Sequence, residues 1–389
     1  MVGFDNYTGL RLGVAGSIAQ YSADRYPYRW RITLLLSLSL KWWDTDGRFT
    51  LPFHDDYISV DVPGIWGDLL RLRGKIRFRR YTDAGWYGLG NATTDSPPDG
   101  VGARYFYYLR TYPNLDLASR WRLLGSIDRE HPWRIDFLGG IALSSSTFLV
   151  EDNSRLKADR LLAAGDGRDA QTMRLYLRGL DNHVLASPIV GVIADTRDHE
   201  MDPTTGLYAE LSGRFTPLPE HLRHAGFYGR ASGFIPFIHN RLVLAGNAMV
   251  DLLVGRPPFY LLSEAGTIES RYCPTGESSV RGVRQQLYAG KIKLLTNVEV
   301  RASLFKFAIG SQRFRFGLVG FFDAGRVWTD YHRVQLAGRS VDGPAWRFAT
   351  GIGAGARLRW GDATVVRYDF AWSPSNRKLG FYIDTNHIF

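Results

Sequence analysis

The residues best equipped for chemistry are scattered, and their spacing argues against a catalytic site. Serine, histidine and aspartate are all present, but no Gly-x-Ser-x-Gly elbow occurs that would expose a serine nucleophile on a strand-to-helix turn. His54 stands beside Asp55 and Asp56, and His199 lies near Asp198 and Asp202, groupings that offer metal ligands. Both fall in polar, turn-like stretches and read better as turn residues. Gly351, Gly353 and Gly355 are spaced by two on a strand-like segment. A phosphate-cradling loop needs a strand-to-helix context, so these glycines read as sites of curvature or close loop packing. Asp195, Arg197 and Asp198, followed by Pro203 and Gly206, read as the staple of a tight turn rather than an acid–base pair. The one cysteine, Cys273, excludes an intramolecular disulfide and a cysteine-based zinc site. The expectation is no enzyme, no metal site and no cofactor.

The arginines are more telling. Arg71, Arg73, Lys75, Arg77 and Arg79 alternate with Leu70, Leu72, Gly74, Ile76 and Phe78. The chain carries 48 Lys+Arg against 38 Asp+Glu, a net charge of +10, which by itself admits a nucleic-acid partner. Strict alternation with an apolar row instead describes one charged face of a strand, and no nucleic-acid role is expected.

The same period of two recurs along the chain. Lys291, Lys293, Asn297, Glu299, Arg301 and Ser303 oppose Ile292, Leu294, Val298, Val300 and Leu304. Arg313, Arg315 and Asp323 oppose Phe314, Phe316, Leu318 and Phe322. Arg347, Arg357 and Arg359 oppose Phe348, Ile352 and Leu358, and the run from Arg31 to Trp42 behaves alike. Successive strand side chains point to opposite faces, so each segment has one apolar and one charged face. A soluble sandwich would share that alternation. Two features favour a membrane barrel. The runs are longer than the roughly 5–6 residues of an ordinary strand. Their ends carry aromatics, including Trp30, Trp42, Trp43, Trp346, Trp360 and Trp372, as transmembrane strands do at the two interfaces. In lipid the sheet must close, since no unpaired edge can face hydrocarbon.

Candidate strands fall near 1–5, 8–20, 29–43, 55–62, 67–80, 103–123, 133–149, 185–197, 206–217, 224–236, 242–255, 291–305, 313–326, 345–359, 363–373 and 379–389. The fold class is therefore all-β: a transmembrane antiparallel barrel of about 16 strands, an even number as bacterial barrels have. A single barrel domain is expected over 1–389, with a first strand cut short at Met1. Two long interruptions stand out, 151–180, where a short helix fits, and 256–290. Turns such as Asp44-Thr45-Asp46-Gly47 and Ser373-Pro374-Ser375-Asn376 suit hairpins. No secretory leader is visible ahead of the first strand. The final segment from Leu379 alternates to end on Phe389, with Phe381 and Ile383 on the same face. Such a terminal aromatic resembles the C-terminal recognition signal of bacterial outer-membrane proteins.

Four motifs then occur in order: Tyr87-Gly88-Leu89-Gly90-Asn91; Asp195-Thr196-Arg197-Asp198 leading through Pro203 into Gly206-Leu207-Tyr208; Val280-Arg281-Gly282-Val283; and Phe321-Phe322-Asp323-Ala324-Gly325. With these the chain resembles the BamA-type bacterial surface-antigen barrels, which assemble or move proteins at outer membranes. The resemblance implies 16 strands and a sixth loop folded into the lumen, where Arg281 packs against Asp323 and Glu299. The alternation separately puts Glu299 and Asp323 on the charged faces of adjacent strands, where a guanidinium can take charge-assisted hydrogen bonds from both. The loop motif departs from the family pattern in ending on Val283 rather than an aromatic residue. No residues precede the barrel to form the POTRA repeats that assembly members carry.

The resemblance implies an integral protein of a Gram-negative outer membrane acting in protein assembly or translocation through a seam between first and last strands. The alternatives are an arginine-lined passive or gated pore for small anions, or a membrane anchor for a partner or upstream domain. Expected partners are outer-membrane lipid, lipopolysaccharide through basic loops, and client proteins or assembly partners.

Overall fold

The computed structural model describes residues 2–5, 9–22, 25–41, 51–102, 104–126, 133–238, 241–268, 271–310, 312–361, 364–385 and 387–389. Trp42, Trp43, the Asp44–Gly47 turn and most of the Asp5–Thr8 turn lie outside these residues. The first strands are β1 (Val2–Asp5), β2 (Gly9–Ser22), β3 (Arg25–Leu40), β4 (Phe53–Gly64) and β5 (Leu70–Gly85). The next wall position is shared by β6 (Tyr107–Thr111) and β7 (Asn114–Ser126), with Pro113 at the break. Then come β8 (Trp133–Leu149), β9 (His183–Asp195), β10 (Gly206–Thr216), β11 (His224–Phe237) and β12 (Leu242–Gly255). The wall ends with β13 (Ile292–Ile309), β14 (Gln312–Trp328), β15 (Ala349–Trp360), β16 (Thr364–Ser373) and β17 (Lys378–Thr385).

Each strand pairs antiparallel with its sequence neighbours, β6 and β7 both lying between β5 and β8. β1 also pairs with β17, at Phe4 and Ile383, so the ladder returns to its first strand through 16 wall positions. That junction is thin among the described residues: four residues of β1 pair with β2, and one pairs with β17.

Burial is inverted relative to a soluble sheet. On β13, Val298 and Val300 are 45% and 44% exposed, whereas Glu299 between them is 0% exposed. On β14, Phe322 is exposed and Asp323 fully buried. An apolar outside around a charged inside is what hydrocarbon demands and water penalises. Trp66, Trp121, Trp133 and Trp360 sit exposed near one end of the wall, where the short turns and both chain ends lie. Phe314 stacks between Phe307 and Trp360, with centroids 5.2 and 5.8 Å away. This end is the periplasmic one, since bacterial barrels keep their short turns there. Trp346 differs from its expected place in a strand: β15 begins at Ala349, and Trp346 lies in the preceding loop, 82% exposed.

The opposite end carries long loops. Two helices, α1 (Arg155–Ala164) and α2 (Arg168–Tyr176), fill the 151–180 interruption. Ser154 caps α1 by accepting from the Lys157 N–H. Leu156, Met173 and Tyr176 pack with Trp86, Tyr108 and Phe259 into an apolar cap over the lumen. The 256–291 segment descends inside, where Val280, Val283 and Leu287 join Tyr87, Tyr288 and Leu295 in a second buried cluster. Val283 thus fills an apolar pocket by packing alone. No helix among the described residues is long and apolar enough to cross a membrane.

Candidate functional site

β13, β14 and β16 each present a carboxylate to the lumen on three successive rows of the register: Asp323 pairs with Gly351, Glu299 pairs with Phe321 and through it with Gly353, and Asp369 pairs with Gly355. The descending loop lowers Arg281 among them. Its Nε and Nη2 donate to Asp323 Oδ2 and Oδ1 at 2.8 and 2.9 Å, a bidentate pair. Its Nη1 donates to Glu299 Oε1 at 2.9 Å and to Asp369 Oδ2 at 3.2 Å. The Arg281 main-chain N–H adds a bond to Asp323 Oδ2 at 3.1 Å. The guanidinium carbon lies 3.4 Å from the Phe321 ring centroid, so the ring covers one face of the cation. Arg281 and its three acids are all 0% exposed.

The backbone fits as closely as the charges. At Gly351 a Cβ would lie 2.0 Å from the Arg281 carbonyl oxygen, so the loop rests directly on that glycine. Gly282 has φ +85 and donates its N–H to Tyr382 Oη at 3.0 Å. Gly325 leaves room for Pro274 and Val280 of the same loop. Around this centre, Arg301 Nε donates to Glu299 Oε2 at 2.8 Å and Arg357 Nη1 to Asp369 Oδ1 at 2.6 Å. Arg367 joins Asp369 to Asp384. The sequence-predicted Arg281, Glu299 and Asp323 are therefore brought together, with Val280, Gly282 and Gly325 at the contact. Asp369 is a third acid that the motifs did not mark; its only signal is its place on a charged face between Arg367 and the Ala371 position.

The periplasmic turn is also as compact as its residues suggested. Arg197 donates to both carboxylate oxygens of Asp195, at 2.8 and 2.9 Å. Asp198 accepts the main-chain N–H groups of Thr204 and Thr205. At Gly206, φ is +100 and a Cβ would strike the Thr196 carbonyl. Sequence reading missed how far the turn reaches. Glu200 takes hydrogen bonds from Arg71 at 2.7 Å and Arg134 at 2.8 Å on one wall. Asp202 takes Arg359 at 2.7 Å and His387 at 3.2 Å on the other. Burial works against both charges, but the facing cations hold both carboxyls below the usual carboxylate range. His199 serves as a turn residue, its Nδ1 accepting from Met201 and Asp202 N–H. His54 faces Asp56 at 3.3 Å, and no cluster of metal ligands is found among the described residues.

Phe389 departs from expectation. β17 ends at Thr385, and Ile388 and Phe389 turn inward to pack with Phe234, Val243 and Ala245, away from the lipid-facing row of Phe381. Arg301 and Arg271 bind the main-chain oxygens of Phe389 and Ile388, which holds the end inside.

The profile of the Omp85 superfamily domain matches residues 148–389. The chain belongs to the Omp85 superfamily. Its fold is that of solved Omp85-type barrels. BamA from Haemophilus ducreyi lacking POTRA domains 1–3 is 15% identical, with a TM-score of 0.57 over 99% of this chain and 69% of that one. CdiB from Escherichia coli is 15% identical, with a TM-score of 0.59 over 98% of this chain. CdiB from Acinetobacter baumannii is 13% identical, with a TM-score of 0.57 over 99% of this chain. The chain spans only 61% and 58% of those two CdiB chains. No curated protein matches it. This Omp85 chain is thus a BamA-like β-barrel of the Gram-negative outer membrane.

Proposed function

We propose that this barrel assembles or translocates client proteins by opening the seam between β1 and β17. The observation that carries this reading is the thin junction: among the described residues one pair joins β1 to β17, while β13 and β14 share seventeen. An incompletely paired strand edge is a template for strand addition, in which a client edge takes up the open main-chain groups. The Arg281 cluster supports the same reading from the other side. It ties the luminal loop to β13, β14 and β16, so the wall next to the seam keeps its register while the seam itself opens.

The pore reading is weaker, because the arginine row of β5 already has anions. Arg71 is held by Asp61 and Glu200, and Arg77 and Arg79 by Asp55. The loop and the cap fill the path above them.

The test places a photo-crosslinking amino acid at Phe4 or Ile383 in cells making outer-membrane proteins, with Val250 on β12 as the control. Adducts with unfolded barrel clients at the two seam positions and none at Val250 are expected. Equal labelling at all three positions, or none at the seam, would overturn the proposal.

A further inference from the structure

Below the Arg281 cluster, at the periplasmic mouth, lies a cavity of about 60 Å³. On this measure about 10–15 Å³ holds one water, so the space suits a small polyatomic group. Its charged lining is Arg241, Arg301, Arg315, Arg357, Arg359 and His387, closed on one side by Asp202, Pro203 and Thr204 of the periplasmic turn. The strand register explains the space. Ser303, Gly317 and Arg357 fall in one row across β13, β14 and β15, so two small residues stand beside one long cation.

Donors in this lining are left over. Among the described residues, Arg301 Nη1 and Arg357 Nε and Nη2 are buried and find no acceptor. The two side chains that carry them are 8% and 7% exposed. A buried N–H without a partner is costly, more so on a charged group, so several together point to an acceptor that belongs there. The carboxylates nearby do not meet the demand. Glu299 is shared among Arg281, Arg301 and Arg357, and Asp369 among Arg281, Arg357 and Arg367. Asp202 is divided among Arg315, Arg359 and His387.

We propose that this cavity is a binding site for a phosphate-type oxyanion, with Arg301 and Arg357 as its buried donors. A tetrahedral anion presents acceptors in several directions, which matches donors converging from Arg301 on β13 and Arg357 on β15, with Arg241, Arg315 and Arg359 around them. Bound there, it joins the periplasmic turn and the inward C-terminal end to the β13–β15 wall. The site takes a free phosphate or the phosphate of a lipid headgroup, and it stands apart from the seam proposal.

The test uses the folded full chain in detergent micelles at constant ionic strength set with chloride. Inorganic phosphate is titrated by calorimetry and by the temperature at which the compact form converts on gels. Glycerophosphoethanolamine is the headgroup arm and acetate the control. Saturable one-to-one phosphate binding with a raised conversion temperature is expected, and no such response to acetate. Arg357→Gln should weaken binding at least tenfold. Arg241→Gln, at the exposed rim and outside the Glu299 network, should weaken it several-fold with the fold intact. Tighter binding of the glycerophospho compound than of phosphate would assign the site to headgroups, and the reverse order to the free anion. Absence of saturation in the wild-type chain, or unchanged affinity in folded Arg241→Gln and Arg357→Gln, would overturn the proposal.

Discussion

Arg281 is a cation removed wholly from water, and such a group is stable only while its partners surround it. Truncating it leaves Glu299, Asp323 and Asp369 facing one another with the loop's positive charge gone. Breaking a buried ion pair costs about 3–5 kcal/mol, and Arg281→Ala is expected to lose about that much. A fall in the urea midpoint of the micellar protein and new protease cutting within 267–289 are the readouts. Asp369→Asn should cost less, about 1–3 kcal/mol, because Arg281 keeps its bidentate pair with Asp323 and its bond to Glu299. Gly351→Ala separates charge from shape. It leaves every charge in place but sets a methyl against the Arg281 carbonyl, so loop protection should fall as in Arg281→Ala. The first three members of the cluster were legible because the loop and strand motifs carry them. Asp369 was not, because alternation assigns a residue to a face but not to a height. Which acid a loop arginine reaches, 88 residues away, depends on register across four strands.

At the scale of elements, the turn between β9 and β10 behaves as a strap. Asp195, Arg197 and Asp198 fold it on itself, a local arrangement readable from spacing. Glu200 and Asp202 fasten it to opposite walls, which no local pattern announces. Both carboxyls sit below their unfolded values, for which about 3.9 for Asp and 4.3 for Glu are ordinary. A depressed carboxyl contributes stability that is complete above the unfolded value and is lost as pH falls towards the folded one. The strap should therefore hold at pH 5 and above and loosen progressively below about 4. Hydrogen-exchange protection of residues 196–205, corrected for intrinsic rates, measures this. Asp202→Asn should lower protection at neutral pH and flatten its acid dependence. Protection that stays constant down to pH 3 in the wild type would count against the strap. The C-terminal end teaches the same lesson in reverse. Its apolar alternation suggested a lipid-facing strand to the last residue, yet two arginine contacts to main-chain oxygens turn Ile388 and Phe389 inward. Alternation has no view of contacts made by the backbone.

For the whole molecule, the sequence was most legible where one physical constraint acts everywhere. Hydrocarbon outside and charge inside impose a period of two on every wall segment, so 16 wall positions could be counted from the chain alone. What fills the barrel follows no period. Trp86, Phe259 and the two helices close the outer end, the Arg281 loop occupies the middle, and the strap crosses the periplasmic mouth. The cap and the middle closure share the 256–291 segment, whereas the strap is the turn between β9 and β10. The intact barrel should therefore show no steady conductance in a planar bilayer, despite its arginine-rich lumen. Removing 268–288 withdraws the middle closure and also releases the cap, since Phe259 and Tyr260 stack on β6 and β8 side chains and need the loop's descent to stay there. Glu299, Asp323 and Asp369, without Arg281, would then face water beside Arg301, Arg357 and Arg367. A steady current is expected from that deletion. A wild-type barrel that already conducts steadily would mean that the closures exchange rapidly with open forms, and the luminal fill would then be a gate rather than a brace for the seam-side wall.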